Sequence, residues 1–116
     1  MSYKLFKRLN KKIKNLYILN FGKTNIKIKS EHREQIIELP YINRKQQNNI
    51  YRSADLLLFP SYFEGYGLPC VEAIKCGLPV VSSNISSIKE IMNKSGLYCA
   101  PNSVKCYENK ILKLYN

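Results

Sequence analysis

The sequence predicts an α/β fold in which a parallel sheet has helices on both faces. Two observations lead to this class. Short apolar runs alternate with amphipathic stretches along the 116 residues, as in chains built from strand–helix–strand units. In the middle of the chain, one such unit can be followed residue by residue, with a glycine-containing loop between its first strand and its helix. The length suits one domain with one core.

The first half of the chain is predicted to contain two helices and two strands. In order they are a helix over 1–14, a strand over 16–21, a strand over 36–42 and a helix from 43 to about 53. Asn43 and Gln46 have the spacing of a capping box at the start of the second helix. The opening helix has apolar residues at helical spacing: Leu5, Phe6, Leu9 and Ile13. Within residues 24–34, Ile26 and Ile28 alternate with lysines, which suggests a short exposed strand but does not settle the assignment.

The second half begins with the central strand–helix–strand unit. The apolar run from Leu56 to Phe59 is typical of a strand buried on both faces, and Pro60 ends it. A helix is expected from about Pro69, and Gly77 ends it before a second strand. The remaining elements are that strand at 79–81, a helix opened by a Ser87–Glu90 capping box, a strand at 97–99 and a closing helix over 103–114.

The loop in the central unit has the residue types of a ligand-binding site. Gly65 and Gly67 allow the backbone to come close to a ligand. The free amides at the start of the next helix favour an anion. Glu64 and Glu72 flank the loop and can accept hydrogen bonds from hydroxyl groups. This combination fits a sugar nucleotide; the alternative is a tight turn with two solvated glutamates.

The same residues resemble a known signature. Glu64 and Glu72 are separated by seven residues and enclose Gly65-Tyr66-Gly67-Leu68-Pro69. This pattern is similar to that of the retaining glycosyltransferases of family four, also described as glycosyl transferases group 1, which have the GT-B fold. Tyr66 stands where that family usually has Phe. Further matches are Ala54, Asp55, Pro60, Ser61, Ala73, Gly77, Pro79 and Val80.

The resemblance implies that residues 1–116 form a single partial domain. This domain would be most of the Rossmann-like, donor-binding C-terminal lobe of a GT-B enzyme, with the acceptor-binding N-terminal lobe absent. Such enzymes transfer a sugar from a nucleotide diphosphate sugar with retention at the anomeric carbon. We therefore expect a nucleotide sugar as donor, an unknown acceptor, and neither a metal nor a cofactor. The isolated, truncated chain is expected to be incomplete as a hexosyltransferase-like enzyme.

The resemblance also implies a role for each residue of the site. Glu64 is the candidate catalytic residue and would accept hydrogen bonds from hydroxyls of the donor sugar. The amides of Gly67 and Leu68 would hold the diphosphate, and Glu72 would bind the ribose. The remaining donor-binding residues of the loop are Gly65 and Tyr66.

The net charge of +11 is concentrated in the first half of the chain. Residues 1–58 contain 13 Lys and Arg against four acids, whereas residues 59–116 contain six against four. The helix at 1–14 has six basic residues and no acid. Such a helix suits an anionic membrane surface or a polyanion, or it packs its apolar side inward and exposes its lysines. No motif supports nucleic-acid binding.

The cysteines and the lengths of the apolar runs predict the cellular compartment of the protein. Four cysteines without a CxxC pair predict reduced thiols and no zinc site: Cys70, Cys76, Cys99 and Cys106. No apolar run approaches the roughly 20 residues that span a bilayer, and no secretory signal is recognisable. We expect a cytoplasmic protein, with peripheral contact at the cytosolic membrane face if residues 1–14 bind lipid.

Three functions remain open at this point. In the first, the chain is the donor half of a glycosyltransferase, and another chain supplies the acceptor lobe. In the second, it is a sugar-nucleotide-binding module or remnant without catalysis. In the third, it is an interaction protein that uses its basic helix. Nucleotide binding separates the first two from the third. Sugar transfer in the presence of an acceptor lobe separates the first from the second.

Overall fold

The computed structural model describes residues 2–21, 27–59, 68–84 and 86–116. Helices and strands alternate along these residues in the predicted order. The helices are α1 (Ser2–Asn10), α2 (Arg44–Ser53), α3 (Leu68–Lys75), α4 (Ser86–Met92) and α5 (Val104–Tyr115). The strands are β1 (Ile18–Phe21), β2 (Ile36–Leu39), β3 (Leu57–Phe59), β4 (Val80–Ser83) and β5 (Leu97–Cys99). Short 3₁₀ turns occupy Ser30–His32 and Asn93–Ser95.

The described strands are parallel to their neighbours, as predicted. β1 pairs with β2 in a register that places Leu19 opposite Ile37. β3, β4 and β5 form a second sheet with β4 in the centre, where Val81 lies opposite Leu58 and Leu97. These strands thus form two parallel sheets, whereas the sequence suggests one.

β4 is the centre of the core. All four of its residues are buried, and the side chains of Val80 and Val81 point to opposite faces of the sheet. Val81 belongs to a hydrophobic cluster with residues of α1, β5 and α5. Val80 belongs to a second cluster with residues of α2, α3 and α4. Helices therefore cover both faces of the three-stranded sheet, as the predicted fold class requires.

β3 is less buried than the sequence predicts. Its apolar run suggests a strand buried on both faces, but Leu57, Leu58 and Phe59 are each only half-buried. β3 pairs with β4 on one side and with none of the described strands on the other. Its side chains therefore have fewer neighbours than those of β4.

α1 packs its apolar side into the core. Leu5, Phe6 and Leu9 are at most 4% exposed, and Ile13 is buried just beyond the end of the helix. Of the two interpretations of this basic helix, the structure favours inward packing with the lysines outside. Since the apolar side is buried, it is not available for insertion into a lipid surface.

A buried carboxylate connects α1 to α5. Arg8 donates from Nε and Nη2 to Oε1 of Glu108 at 3.0 and 2.8 Å, and Lys12 Nζ lies 3.2 Å from Oε2. The Glu108 side chain is only 4% exposed. Hydrogen bonding from Arg8, helped by Lys12, holds the pKa of Glu108 below its ordinary value. One acid thus balances two cations of the basic segment.

The helix caps agree with the sequence at one site and not at another. Asn43 Oδ1 accepts a hydrogen bond from the Gln46 amide, and Gln46 Oε1 accepts one from the Asn43 amide, both at 2.9 Å. This is the predicted capping box of α2. The capping box predicted for Ser87 and Glu90 is wrong, because α4 begins at Ser86 and Ser87 already lies inside the helix.

Two of the four cysteines form a disulfide. Cys99, at the end of β5, is bonded to Cys106 with an S–S distance of 2.11 Å and a Cα–Cα distance of 5.8 Å. This corrects the prediction of four reduced thiols. Ser103 caps α5 directly after β5, so the first turn of the helix returns Cys106 to the strand end. Cys70 is buried and Cys76 half-buried, and neither is part of a disulfide.

Candidate functional site

The structure describes two of the six residues that the sequence assigns to donor binding. Leu68 is the first residue of α3, and Glu72 lies one turn further along the same helix. α3 is the next described element after β3, so the helix follows the strand in the predicted order. Four predicted site residues lie outside the described residues: Glu64, Gly65, Tyr66 and Gly67.

The side chain of Glu72 is held by an arginine from another helix. Arg44 Nη2 donates to Glu72 Oε1 at 3.0 Å. The Glu72 side chain is 21% exposed, whereas that of Arg44 is 76% exposed. The carboxylate is therefore partly sheltered, and solvent reaches the guanidinium more easily than the carboxylate.

The two residues occupy comparable places in the fold. Arg44 is the first residue of α2, which follows β2, and Glu72 is the fifth residue of α3, one turn from the start of the helix that follows β3. In open α/β sheets, ligands bind outside the carboxyl ends of the parallel strands, where such helices begin. Arg44 and Glu72 therefore lie on the side of the molecule where this fold class binds its ligands.

A buried tyrosine lies on the same helix as Arg44. Tyr51 of α2 is 2% exposed, and Gln47 Nε2 donates to its hydroxyl at 2.9 Å. Burial raises the pKa of Tyr51, and the negative charge of Glu72 raises it further. Both effects favour the neutral phenol of Tyr51.

An aromatic contact joins the first sheet to α2. The Phe21 ring, at the carboxyl end of β1, meets the Tyr51 ring edge to face, with centroids 6.2 Å apart and planes at 89°. Phe21 is still 44% exposed. Aromatic contacts of this kind contribute roughly 0.5–1.5 kcal/mol beyond the area they bury. Phe21 thus offers a partly exposed apolar surface beside α2.

The Glu72 carboxylate can accept hydrogen bonds from a ligand, and the Arg44 guanidinium beside it carries a positive charge. An ionised carboxylate has about four acceptor positions, and the bond from Arg44 uses one of them on Oε1. Hydroxyl groups of a ligand can occupy others. The Arg44 guanidinium can meet an anionic group of the same ligand. The chemistry therefore suits a molecule with both hydroxyls and negative charge.

Sequence reasoning missed Arg44 and Phe21. Arg44 directly follows the Asn43 cap, but Glu72 lies 28 positions further along the chain, and no local pattern links the two. The one available signal was topological, since helices after neighbouring parallel strands begin on the same side of a sheet. Phe21 could be found in the same way, as the last residue of an apolar strand.

Two kinds of feature are absent from the described residues: a metal-binding cluster and a membrane-spanning helix. Within the described ranges, no group of three His, Cys, Asp or Glu residues is arranged to hold a metal ion. None of the helices in that part of the chain is long and apolar enough to cross a bilayer.

Comparison with known proteins identifies the family. The family model for glycosyl transferases group 1 matches residues 1–116. This chain belongs to that family. It is 39% identical over 75 residues to the O-antigen chain mannosyltransferase B of Escherichia coli, covering 65% of this chain and 20% of that protein. It is 44% identical over 55 residues to the D-inositol 3-phosphate glycosyltransferase of Mycolicibacterium smegmatis, covering 47% of this chain and 13% of that protein.

A solved structure supports the fold. The sucrose-phosphate synthase of Thermosynechococcus elongatus superposes with a TM-score of 0.68 at 22% identity, over 87% of this chain and 29% of that one. This glycosyltransferase group 1 chain therefore has the α/β fold of a GT-B lobe, with parallel sheets flanked by helices. The chain spans a fifth or less of the length of the mannosyltransferase and of the D-inositol 3-phosphate glycosyltransferase.

Proposed function

We propose that this chain is the donor-binding part of a retaining glycosyltransferase that uses a nucleotide diphosphate sugar. Membership of the glycosyl transferases group 1 family supports the transferase class. The observation that carries the donor assignment is the Glu72 carboxylate, partly sheltered and held by Arg44 on the ligand-binding side of the fold. A fixed acceptor beside a cation suits the ribose and phosphates of a nucleotide.

Each predicted residue has a part in this proposal. Glu72 accepts hydrogen bonds from the ribose hydroxyls, and the amides of Gly67 and Leu68 bind the diphosphate. Glu64 contacts the donor sugar and acts as the catalytic residue. Fixed donors of this kind aimed at the departing diphosphate can supply much of a rate enhancement, because charge develops there in the transition state.

Transfer also requires an acceptor held in place. Positioning two reactants can contribute roughly 7–11 kcal/mol of the barrier. We propose that an acceptor-binding lobe, carried by polypeptide outside these 116 residues, supplies this contribution. Donor binding is therefore the activity to test on the chain itself, and transfer is the activity to test on the completed enzyme.

The experiment is calorimetric titration of the 116-residue protein with UDP, GDP and ADP, in buffer containing EDTA. At least one nucleotide is expected to bind. Glu72→Gln should weaken that binding roughly tenfold or more, since hydrogen bonds to charged groups contribute about 1.5–3 kcal/mol. The matched control is Glu90→Gln, which alters an exposed glutamate on α4. The donor proposal fails if no nucleotide binds, or if the two variants bind equally well.

A binding module without catalysis is the second candidate. It is favoured by the small share of each related enzyme that this chain covers. Both candidates predict nucleotide binding. They differ once an acceptor-binding lobe from a related enzyme is added: the first predicts a glycosylated product that keeps the anomeric configuration of the donor, and the second predicts no product.

Peripheral contact with an anionic membrane is compatible with either candidate. The outer face of α1, the residue that follows it and the turn before β2 line a basic cavity of about 410 Å³. Its cationic residues are Lys4, Lys7, Arg8, Lys11 and Lys29. Because the apolar side of α1 is buried, such contact would be electrostatic and salt-sensitive. Binding to phosphatidylserine vesicles, lost in Lys4→Gln/Lys7→Gln/Lys11→Gln, is the test.

A further inference from the structure

The basic cavity lies on the other side of the three-stranded sheet from Glu72. α1 packs with α5 on the Val81 side of that sheet, whereas α3, which carries Glu72, packs on the Val80 side. The outer face of α1 and the turn at residues 29–32 line the cavity. A ligand there would bind apart from the site proposed for the nucleotide, so the two sites can be tested separately.

Positive charge dominates the lining of this cavity. Its charged side chains are Lys4, Lys7, Arg8, Lys11 and Lys29 against the single acid Glu31. Lys4, Lys7 and Lys11 follow one another at spacings of three and four residues, at which like charges on a helix repel each other. None of the ion pairs found among the described residues includes one of the four lysines. An anion bound between them would relieve this repulsion.

Tyr3 holds the two walls of the cavity together. Its hydroxyl oxygen accepts a hydrogen bond from the Lys29 amide at 3.0 Å and lies 2.9 Å from His32 Nδ1. The His32 ring also meets the Phe6 ring edge to face, with centroids 5.2 Å apart, and Phe6 is fully buried. The turn is thus fixed against α1. A ligand that meets both walls therefore needs little rearrangement of the backbone.

The contact with Tyr3 also determines what His32 can offer a ligand. Because the Lys29 amide already donates to the Tyr3 oxygen, the hydroxyl proton can be donated to His32 Nδ1. In a neutral imidazole the ring proton is then carried by Nε2, which is a donor. His32 lines the cavity together with the lysines. The lining thus combines several ammonium groups with one imidazole donor.

A phosphate group suits this lining better than a carboxylate does. At neutral pH a phosphomonoester carries roughly 1.5–2 negative charges and three strong acceptor oxygens. A carboxylate has one charge on two oxygens, so it can satisfy fewer of the donors. The cavity volume of about 410 Å³ is within the range of small-molecule sites. A compact anion with several oxygens therefore fits the site.

We propose that the basic cavity binds a doubly charged phosphate group, carried by a small soluble compound or by a lipid headgroup. The lysines of α1 and Lys29 of the turn would meet the phosphate from two sides, and His32 would donate to one of its oxygens. Glu31 would weaken binding by repulsion. This assignment is narrower than electrostatic contact with a membrane, because it requires both walls of the cavity. It holds whether or not the chain binds a nucleotide.

The first test compares two small anions. The 116-residue protein is titrated with inorganic pyrophosphate and, separately, with citrate, and amide shifts are followed by NMR. Pyrophosphate is expected to shift the amides of Lys7, Lys29 and His32 and to bind at least about fivefold more tightly than citrate, whose charges are on carboxylates. Shifts confined to α3 would place the anion in the nucleotide site and overturn the proposal. Equal binding of the two anions overturns it as well.

Lys29→Gln separates the cavity from the basic face of α1. Lys29 is exposed and its amide, which bonds to Tyr3, is kept, so the Tm should change little. Pyrophosphate binding should weaken about three- to tenfold. The matched control is Lys94→Gln, an exposed lysine outside the cavity lining, which should change binding less than about twofold. Equal losses in the two variants would mean diffuse attraction and would overturn the proposal.

Glu31→Gln is the variant that should improve the site. It removes the one acid of the lining, so pyrophosphate should bind about two- to fivefold more tightly. Binding to the folded protein should also raise the Tm, and the rise at a fixed pyrophosphate concentration should be largest for Glu31→Gln and smallest for Lys29→Gln. The reverse order would contradict binding in the cavity.

Vesicles identify what carries the phosphate. Phosphatidic acid presents a phosphomonoester and phosphatidylserine does not, so the two are compared in phosphatidylcholine vesicles of equal surface charge. Stronger sedimentation with phosphatidic acid, lost in Lys29→Gln, supports the cavity and identifies a lipid headgroup. Equal sedimentation with both lipids, together with pyrophosphate binding at the cavity, supports a soluble ligand. Binding to phosphatidylserine without pyrophosphate shifts at the cavity overturns the proposal.

Discussion

The Arg44 guanidinium on α2 lies 3.0 Å from the Glu72 carboxylate on α3 and thereby links two helices that follow different strands. Arg44 is largely exposed, so the pair adds little to folding; exposed ion pairs typically contribute about 0.2–1 kcal/mol. Its expected importance lies in fixing the direction of a carboxylate that we assign to ribose.

Arg44→Ala should therefore weaken nucleotide binding about three- to tenfold while it lowers the free energy of unfolding by less than about 1 kcal/mol. The reason is that Glu72 loses its fixed orientation and the site loses a cation. Calorimetric titration and urea unfolding measure the two effects. Lys45→Ala, which removes a neighbouring exposed cation on the same helix, is the matched control. Tighter binding by Arg44→Ala would show that the arginine competes with the ligand.

The buried carboxylate of Glu108 should make stability depend on pH. Its folded-state pKa is lowered by Arg8 and then by Lys12, so its contribution is present above the unfolded pKa of about 4.3 and is lost as the pH falls through the folded value. Glu108→Gln should lower the free energy of unfolding at pH 7 by roughly 1.5–3 kcal/mol. The difference from the wild type should shrink on acidification below pH 4. Urea unfolding across pH 3–7 measures it, and a difference that is constant over this range would contradict the assignment.

The disulfide between Cys99 and Cys106 should stabilise the end of the chain. Closing a loop of this length is worth about 2–3 kcal/mol by chain entropy. Cys106→Ser should lower the Tm, and dithiothreitol should lower the Tm of the wild type but not that of the variant. Cys76→Ser is the control, since that cysteine is free. An equal response of both variants to the reductant would argue against the bond.

The apolar side of α1 should contribute to folding. Leu9→Ala should lower the free energy of unfolding by about 2–5 kcal/mol, because Leu9 is only 4% exposed and the change leaves a cavity. Lys11 is exposed and directly follows α1, so Lys11→Ala should change the free energy of unfolding by no more than about 0.5 kcal/mol. Urea unfolding measures both. Similar small effects would mean that α1 is not part of the core.

Local signals were enough to predict most of the elements. The Asn43–Gln46 capping box sets the start of α2, and the apolar spacing of Leu5, Phe6 and Leu9 predicts α1 and the side on which it packs. In each case the pattern spans only one or two turns of a helix. Such patterns determine local structure whatever the rest of the chain does.

The features that sequence reasoning missed depend on packing between distant segments. The Arg44–Glu72 pair exists because two helices begin on the same side of the fold. The Cys99–Cys106 bond depends on how sharply α5 turns back after β5. The half-burial of β3 reflects its position at the edge of a sheet, whereas its apolar composition suggested a central strand. Composition and spacing carry no information on these relations.

The position of β4 determines how the molecule must unfold. Val80 and Val81 are adjacent in the chain but belong to separate apolar clusters on opposite sides of the sheet. Neither cluster can be solvated without loosening the same four residues that support the other. The two clusters are thus expected to unfold in one cooperative transition. A destabilising substitution in either cluster should therefore lower the stability of the whole fold.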